Sequence, residues 1–186
     1  MKLLLLPLLS LFSLVFSQKT DNSIVGTWSS GSGGVLTGEG FCTPSEYSFK
    51  VPSTTGISYS FTADGHYEEA TYKFNSNAST PQCIQAVLIW QHGTYTINDD
   101  NGIDTIPIAE DGRIQVEDPC AASSNVLTTA NITRHFSKYL TFDDPVKDKP
   151  ALQLYDFDGS TLAPMYLISQ SPNMLPTSSI TNSGLS

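Results

Sequence analysis

Basic side chains are scarce in this 186-residue chain: nine Lys and Arg stand against 18 Asp and Glu, a formal charge of −9. Nucleic-acid binding needs clustered cations to displace phosphate counterions, so the balance excludes it as a general function. It argues equally against docking on an anionic membrane surface. Sustained apolar spacing of three and four is missing, so no stretch reads as an amphipathic helix. There is no Cys-x-x-Cys, no pair of histidines four residues apart and no Gly-x-Ser-x-Gly elbow, so zinc sites and hydrolase nucleophiles go unmarked. What is present is a globular composition, 39% apolar and 10% aromatic, which can build a core and does not fit global disorder.

The chain starts with Met1 and Lys2, then an apolar run to Phe16 interrupted only by Pro7, Ser10 and Ser13. Val15-Phe16-Ser17 supplies an acceptable cleavage site, so residues 1–17 read as a secretory signal peptide. At about 14 apolar residues the run falls short of the ~20 that span a bilayer, and no later run reaches that length. The remainder is expected to form one β domain over residues 18–176 and a flexible Ser/Thr-rich tail over 177–186. Secretion into an oxidising compartment lets cysteines pair. Of the three, Cys83 and Cys120 each sit beside proline in loop-like sequence, and a bridge closing the loop between them would be worth about 3–4 kcal/mol. The residues alone leave every pairing open; Cys42 reads as a free, inert thiol. Asn77-Ala78-Ser79 and Asn131-Ile132-Thr133 are acceptor sites for N-glycans in polar, loop-like stretches.

Short runs rich in Tyr, Phe, Ile, Thr and Val recur between turn residues. Ile57, Tyr59 and Phe61 alternate with Ser58, Ser60 and Thr62, the pattern of a half-buried strand. Asp64-Gly65 turns the chain into a second strand over 66–74. Residues 86–97 and 103–108 flank the turn cluster Asn98-Asp99-Asp100-Asn101-Gly102, Asp111-Gly112 reverses into 113–116, and 134–142 reads as one further strand. A last hairpin spans 151–168 around Asp158-Gly159, and Ile24-Val25-Gly26-Thr27-Trp28-Ser29 is a strand near the start. About eight or nine strands at regular spacing predict an all-β antiparallel meander. Gly26-Thr27-Trp28 resembles the Gly-x-Trp of lipocalin first strands, which favours a lipocalin-like β-barrel over a β-sandwich.

Candidate chemistry is thin. Glu68 and Glu69 are adjacent on a strand, so their side chains point to opposite faces and cannot cooperate as a carboxylate pair. Asp143-Asp144 precedes Pro145 in a turn, where solvated aspartates are usual. His66, His92 and His135 are scattered, and Gly31-Ser32-Gly33-Gly34 is followed by neither helix nor lysine to hold phosphate. Trp28 and Trp90 read as core. The sequence therefore predicts no catalytic residue, no metal and no cofactor.

Longer words carry a family resemblance. Ser23-Ile24-Val25-Gly26-Thr27-Trp28-Ser29-Ser30 is followed by Thr37-Gly38-Glu39-Gly40-Phe41. Gly56-Ile57-Ser58-Tyr59-Ser60-Phe61-Thr62 leads into Asp64-Gly65-His66-Tyr67-Glu68-Glu69-Ala70. Next come Gln91-His92-Gly93-Thr94-Tyr95, Asp111-Gly112-Arg113 and Asp118-Pro119-Cys120. The series ends in Leu152-Gln153-Leu154-Tyr155-Asp156-Phe157-Asp158-Gly159 and Asn173-Met174-Leu175-Pro176-Thr177. In this order they resemble the fungal endoplasmic-reticulum family known as "reversal of Tor lethality". The resemblance implies a glycosylated, non-enzymatic folding factor needed for normal cell-wall β-1,6-glucan. Its partners would be unfolded or maturing secretory and membrane proteins and other luminal chaperones. It also implies that the family's disulfide matches Cys83 and Cys120, with Cys42 the extra cysteine. Family members usually end in one hydrophobic helix that anchors the domain on the luminal side; here the sequence reaches Ser186 without one. The competing expectation is a lipocalin-like carrier of a lipid or glycan intermediate, which requires a roomy cavity rather than a filled core.

Overall fold

A computed structural model of the chain describes residues 19–181. The expected signal peptide and the final residues of the expected tail lie outside the described residues. Among the described residues there are thirteen strands: β1 (Gly26–Ser30), β2 (Cys42–Thr43), β3 (Ser48–Phe49), β4 (Gly56–Phe61), β5 (His66–Asn75), β6 (Gln85–Ile97), β7 (Ile103–Pro107), β8 (Arg113–Glu117), β9 (Asn125–Thr129), β10 (Arg134–Phe136), β11 (Lys138–Asp144), β12 (Lys149–Tyr155) and β13 (Met165–Ser169). Pro44–Glu46 forms a single 3-10 turn between β2 and β3. The chain is all-β and antiparallel throughout, as its alternating runs predict.

Eleven strands form one sheet with the main order β10-β7-β6-β5-β4-β1-β13-β12-β11, while β2 and β3 make a separate ribbon. β4 to β7 is the expected meander. Gly65 adopts φ +88° in the β4–β5 turn, a conformation that favours glycine. β1 lies between β4 and β13, so the first and last strands of the sheet pair. β6 runs beside β5 along its length but forks on its other side: Ala86 to Trp90 pair with β8, and Gly93 to Ile97 pair with β7. Gly93 stands at that fork, where an added Cβ would lie 2.1 Å from the Ile106 carbonyl oxygen. No larger residue fits there.

One aromatic-rich cluster takes Trp28 from β1, Tyr59 and Phe61 from β4, Tyr67 from β5, Ile103 from β7, Phe136 from β10, Tyr139 from β11 and Leu152 from β12. β10 and β11 end the pairing path at opposite ends, yet both contribute to this core, so the sheet is strongly curled. Among the described residues no ladder joins β10 to β11, and the path stays open. Residues 134–142, expected as one strand, are two. Ser137 breaks them, donating its amide to the Tyr155 carbonyl and its hydroxyl to the Asp156 carbonyl, which carries the chain from β7 across to β12. β9 was not expected: its five residues are largely exposed and show no alternation of apolar and polar side chains.

A second cluster covers the outer face of β5 and β6. It joins Ala70, Tyr72, Leu88 and Trp90 to Val35, Phe41 and Cys42, with Leu175 and Ile180 packed against it. The chain from Asn173 to Thr181 is therefore docked, although its second half falls in the stretch expected to be a flexible tail. Cys83 and Cys120 are bonded, with Cα atoms 5.5 Å apart and a sequence separation of 37. The bridge ties the approach to β6 to the exit of β8, strands that pair Ala86 with Glu117. Replacing both cysteines by alanine should lower unfolding free energy by about 3–4 kcal/mol, measured by urea denaturation. An unchanged midpoint would show that the β8–β9 wing needs no covalent staple.

Candidate functional site

β5 places two carboxylates side by side on a strand buried on both faces. Glu68 points outward and is 0% exposed. Its Oε1 accepts from the Gly38 amide at 2.6 Å and from Trp90 Nε1 at 2.8 Å, and its Oε2 accepts from the Leu175 amide at 2.6 Å. Burial still raises its pKa above the ordinary value, with those three donated bonds opposing the rise. Glu69 points inward and is 1% exposed. Arg134 grips it with Nη2 on Oε1 at 2.7 Å and Nε on Oε2 at 3.2 Å, while Gln91 Nε2 and the Thr71 hydroxyl add two further donors. Burial would lower the Arg134 pKa, and the facing carboxylate more than reverses this. Burial, reinforced by Glu69, pushes the Tyr59 phenol well above its usual range. Two-point contact between Arg134 and Glu69, and donors on every oxygen of both carboxylates, suit groups that hold a core together rather than proton transfer.

A third buried carboxylate, Asp111, clamps the C-terminal segment. It accepts from the Ile180 amide at 2.7 Å, the Thr181 amide at 2.8 Å, the Thr181 hydroxyl at 2.6 Å and His92 Nε2 at 2.8 Å. Burial alone would raise its pKa, but the Thr181 hydroxyl, the two amides and His92 outweigh it and hold the carboxyl below its ordinary value. Asn173 supplies the other end of the strap, its amide donating to Thr27 Oγ1 at 2.7 Å and its side chain to the Thr37 carbonyl at 2.7 Å.

Open space is limited. At the mouth of the curled sheet a cavity of about 260 Å³ lies over Glu69 and Arg134, between Ile57, Tyr59, Phe136 and Leu162. On the outside, a shallow, mostly apolar groove of about 610 Å³ follows the strap past Val25, Ala63, Pro172, Met174, Leu175 and Pro176.

The residues singled out from sequence are dispersed. Cys83 and Cys120 border a surface hollow that also includes Asn77. Asn77 and Asn131 are exposed, and the Asn77 side chain accepts from the Ser79 amide at 2.9 Å. Cys42 is a buried free thiol, its pKa pushed up to about 12 by burial. Trp28 and Trp90 are both core. His66, His92 and His135 each pair with a different aspartate, Asp64, Asp111 and Asp104. Asp144 accepts from the Val146 and Lys147 amides and from the Tyr166 hydroxyl. Among the described residues no three His, Cys, Asp or Glu side chains gather to hold a metal ion, and no helix is long and apolar enough to cross a membrane.

Comparison with known proteins gives a consistent picture. The family model Rot1, described as a fungal chaperone for protein folding within the endoplasmic reticulum, matches residues 24–185. Protein rot1 of Aspergillus niger is 45% identical over 91% of this chain and 72% of its own length. Protein rot1 of Emericella nidulans is 45% identical over 90% of the chain and 72% of its own. Protein rot1 of Schizosaccharomyces pombe is 45% identical over 86% and 69%. No solved structure matches.

Two outcomes follow from the buried charges. Arg134→Met should cost about 3–5 kcal/mol by leaving Glu69 uncompensated, and adding Glu69→Gln should recover most of it, as read by urea unfolding; a single variant no worse than the double would refute the pairing. Asp111→Asn should cost about 1–3 kcal/mol at neutral pH. Because the folded-state pKa of Asp111 is depressed, that difference is present above its ordinary value of 3.8 and shrinks as pH falls through the lower folded value. Unfolding curves of both proteins over an acid series check this, and a difference that persists to the lowest pH would show that the charge does not anchor the strap.

Proposed function

The chain belongs to the Rot1 family of fungal chaperones for protein folding within the endoplasmic reticulum, and from that premise we propose that it acts without catalysis, holding partly folded clients on its surface until they mature. The observation that carries this reading is the contrast between interior and exterior. The interior carboxylates are saturated by donors, whereas Phe74, Ile106, Val146 and Phe157 are 56%, 63%, 87% and 74% exposed. Exposed apolar side chains over a core whose carboxylates are donor-saturated suit transient contact with unfolded segments. We read the curled sheet as a lipocalin-like barrel left open between β10 and β11, with its interior filled by aromatic side chains. A carrier would need an enclosed volume of at least ~300 Å³, and the cavity at the sheet's mouth, about 260 Å³, supports the carrier reading less well.

Clients would be secretory and membrane proteins, handled alongside other luminal chaperones. Loss of β-1,6-glucan would then follow from misfolding of the membrane proteins that build it. Asn77 and Asn131, exposed in loops, are the proposed glycan sites, and residues 1–17 the signal that brings the chain into the lumen. Attachment to the luminal face of the membrane is proposed from the family resemblance.

The purified chain should suppress aggregation of a reduced, unfolded secretory protein at equimolar ratio without nucleotide, followed by light scattering. Scattering as high as that of the client alone would sink the chaperone reading.

A further inference from the structure

The residues that would meet a client can be found from the hydrogen bonding of the β8–β9 wing. β8 and β9 pair in register from Arg113 with Thr129 to Glu117 with Asn125. The bonds bracketing this ladder run from the Asp118 amide to the Ser124 carbonyl at 2.7 Å and from the Ala130 amide to the Gly112 carbonyl at 2.9 Å. Hydrogen-bonded and non-hydrogen-bonded pairs alternate along an antiparallel ladder. Val126 and Thr128 therefore bond to β8, while the amides and carbonyls of Asn125, Leu127 and Thr129 point away from it. Among the described residues no strand pairs with that side of β9.

Natural sheet edges are ordinarily blunted by lysine, proline, bulges or covering segments. β11, another edge of this sheet, carries Lys138, Asp143 and Asp144. β9 has none of these devices: its sequence is NVLTT, and residues 119–133 contain no charged side chain in a chain of net charge −9. Val126 on this strand is 43% exposed. The Cys83–Cys120 bridge fixes the wing that presents this edge, so the template is ordered before anything binds.

Building on the chaperone reading above, we propose that the outer edge of β9 is the client-docking site, taking an extended, uncharged, β-branched segment of an unfolded polypeptide as an added strand. Strand addition draws affinity from main-chain hydrogen bonds, so it tolerates many client sequences. The missing charges set the selection: a segment rich in Val, Ile and Thr approaches without desolvating an ion, whereas an acidic segment meets the repulsion of the whole molecule. Unfolded proteins expose such segments because they are destined for sheets.

The test reads individual amides of the whole folded chain. With a capped, uncharged peptide of alternating Thr and Val, exchange at the Leu127 and Thr129 amides should slow about tenfold, while a proline-interrupted version of the peptide should leave them fast. Thr129→Pro removes an outward donor without touching the β8 ladder, and Val126→Lys adds the charge that guarded edges carry. Both should keep the thermal midpoint and lose most of the aggregation suppression. Unslowed exchange, or full suppression by both variants, would overturn the proposal. So would protection that grows with the chain's own concentration in the absence of peptide, which would assign the edge to a second copy. A wild-type chain that suppresses no aggregation would reject the chaperone reading alone, because the exchange measurement still decides whether the edge accepts a strand.

Discussion

Burial of β5 on both faces is the constraint from which the rest of the architecture follows. A strand with one wet face would leave Glu68 or Glu69 in solvent. Here both faces are covered, and each carboxylate must find its donors inside the protein or cost several kcal/mol. Those donors come from distant parts of the chain. Gly38 and Leu175 serve Glu68, while Gln91 and Arg134 serve Glu69. Asp111 repeats the device with Ile180 and Thr181. Glu68 and Asp111 thus each fasten a segment that has no strand partner of its own, while Glu69 ties β10 to β5 and β6. The segment after β13 belongs to the fold because buried carboxylates need its amides, and the loop after β1 is held partly for the same reason.

Elements held by local pattern were legible. Ile57, Tyr59 and Phe61 alternate and Asp64-Gly65 follows, so β4 and β5 could be placed from sequence within a residue. Long-range hydrogen bonding was not. A backbone amide donates whatever side chain it carries, so Leu175, Ile180 and Thr181 gave no sign that they would dock. Nothing in 134–142 marks Ser137 as the point where the chain crosses between strands, because the reason lies in carbonyls nineteen residues away or nearly so. One stretch of the sequence does mark a long-range feature. Ala86-Val87-Leu88-Ile89-Trp90 is apolar without alternation, the mark of a strand buried on both faces. Read that way, it requires a second layer over β6 and makes the neighbouring glutamates interior groups rather than surface charges.

A chaperone of this build faces a conflict between offering an unsatisfied edge to clients and offering it to copies of itself. Local guards such as lysine or proline on β9 would solve the second problem by destroying the first function. The charge distribution separates the two. Copies carry −9 each and repel one another over the Debye length of about 8 Å at physiological salt. An uncharged client segment feels no such field and meets, in residues 119–133, an approach without a charged side chain. Self-avoidance is thus assigned to the molecule as a whole and client acceptance to one strand. The disulfide keeps that strand presented, and the buried carboxylates keep the core intact behind it.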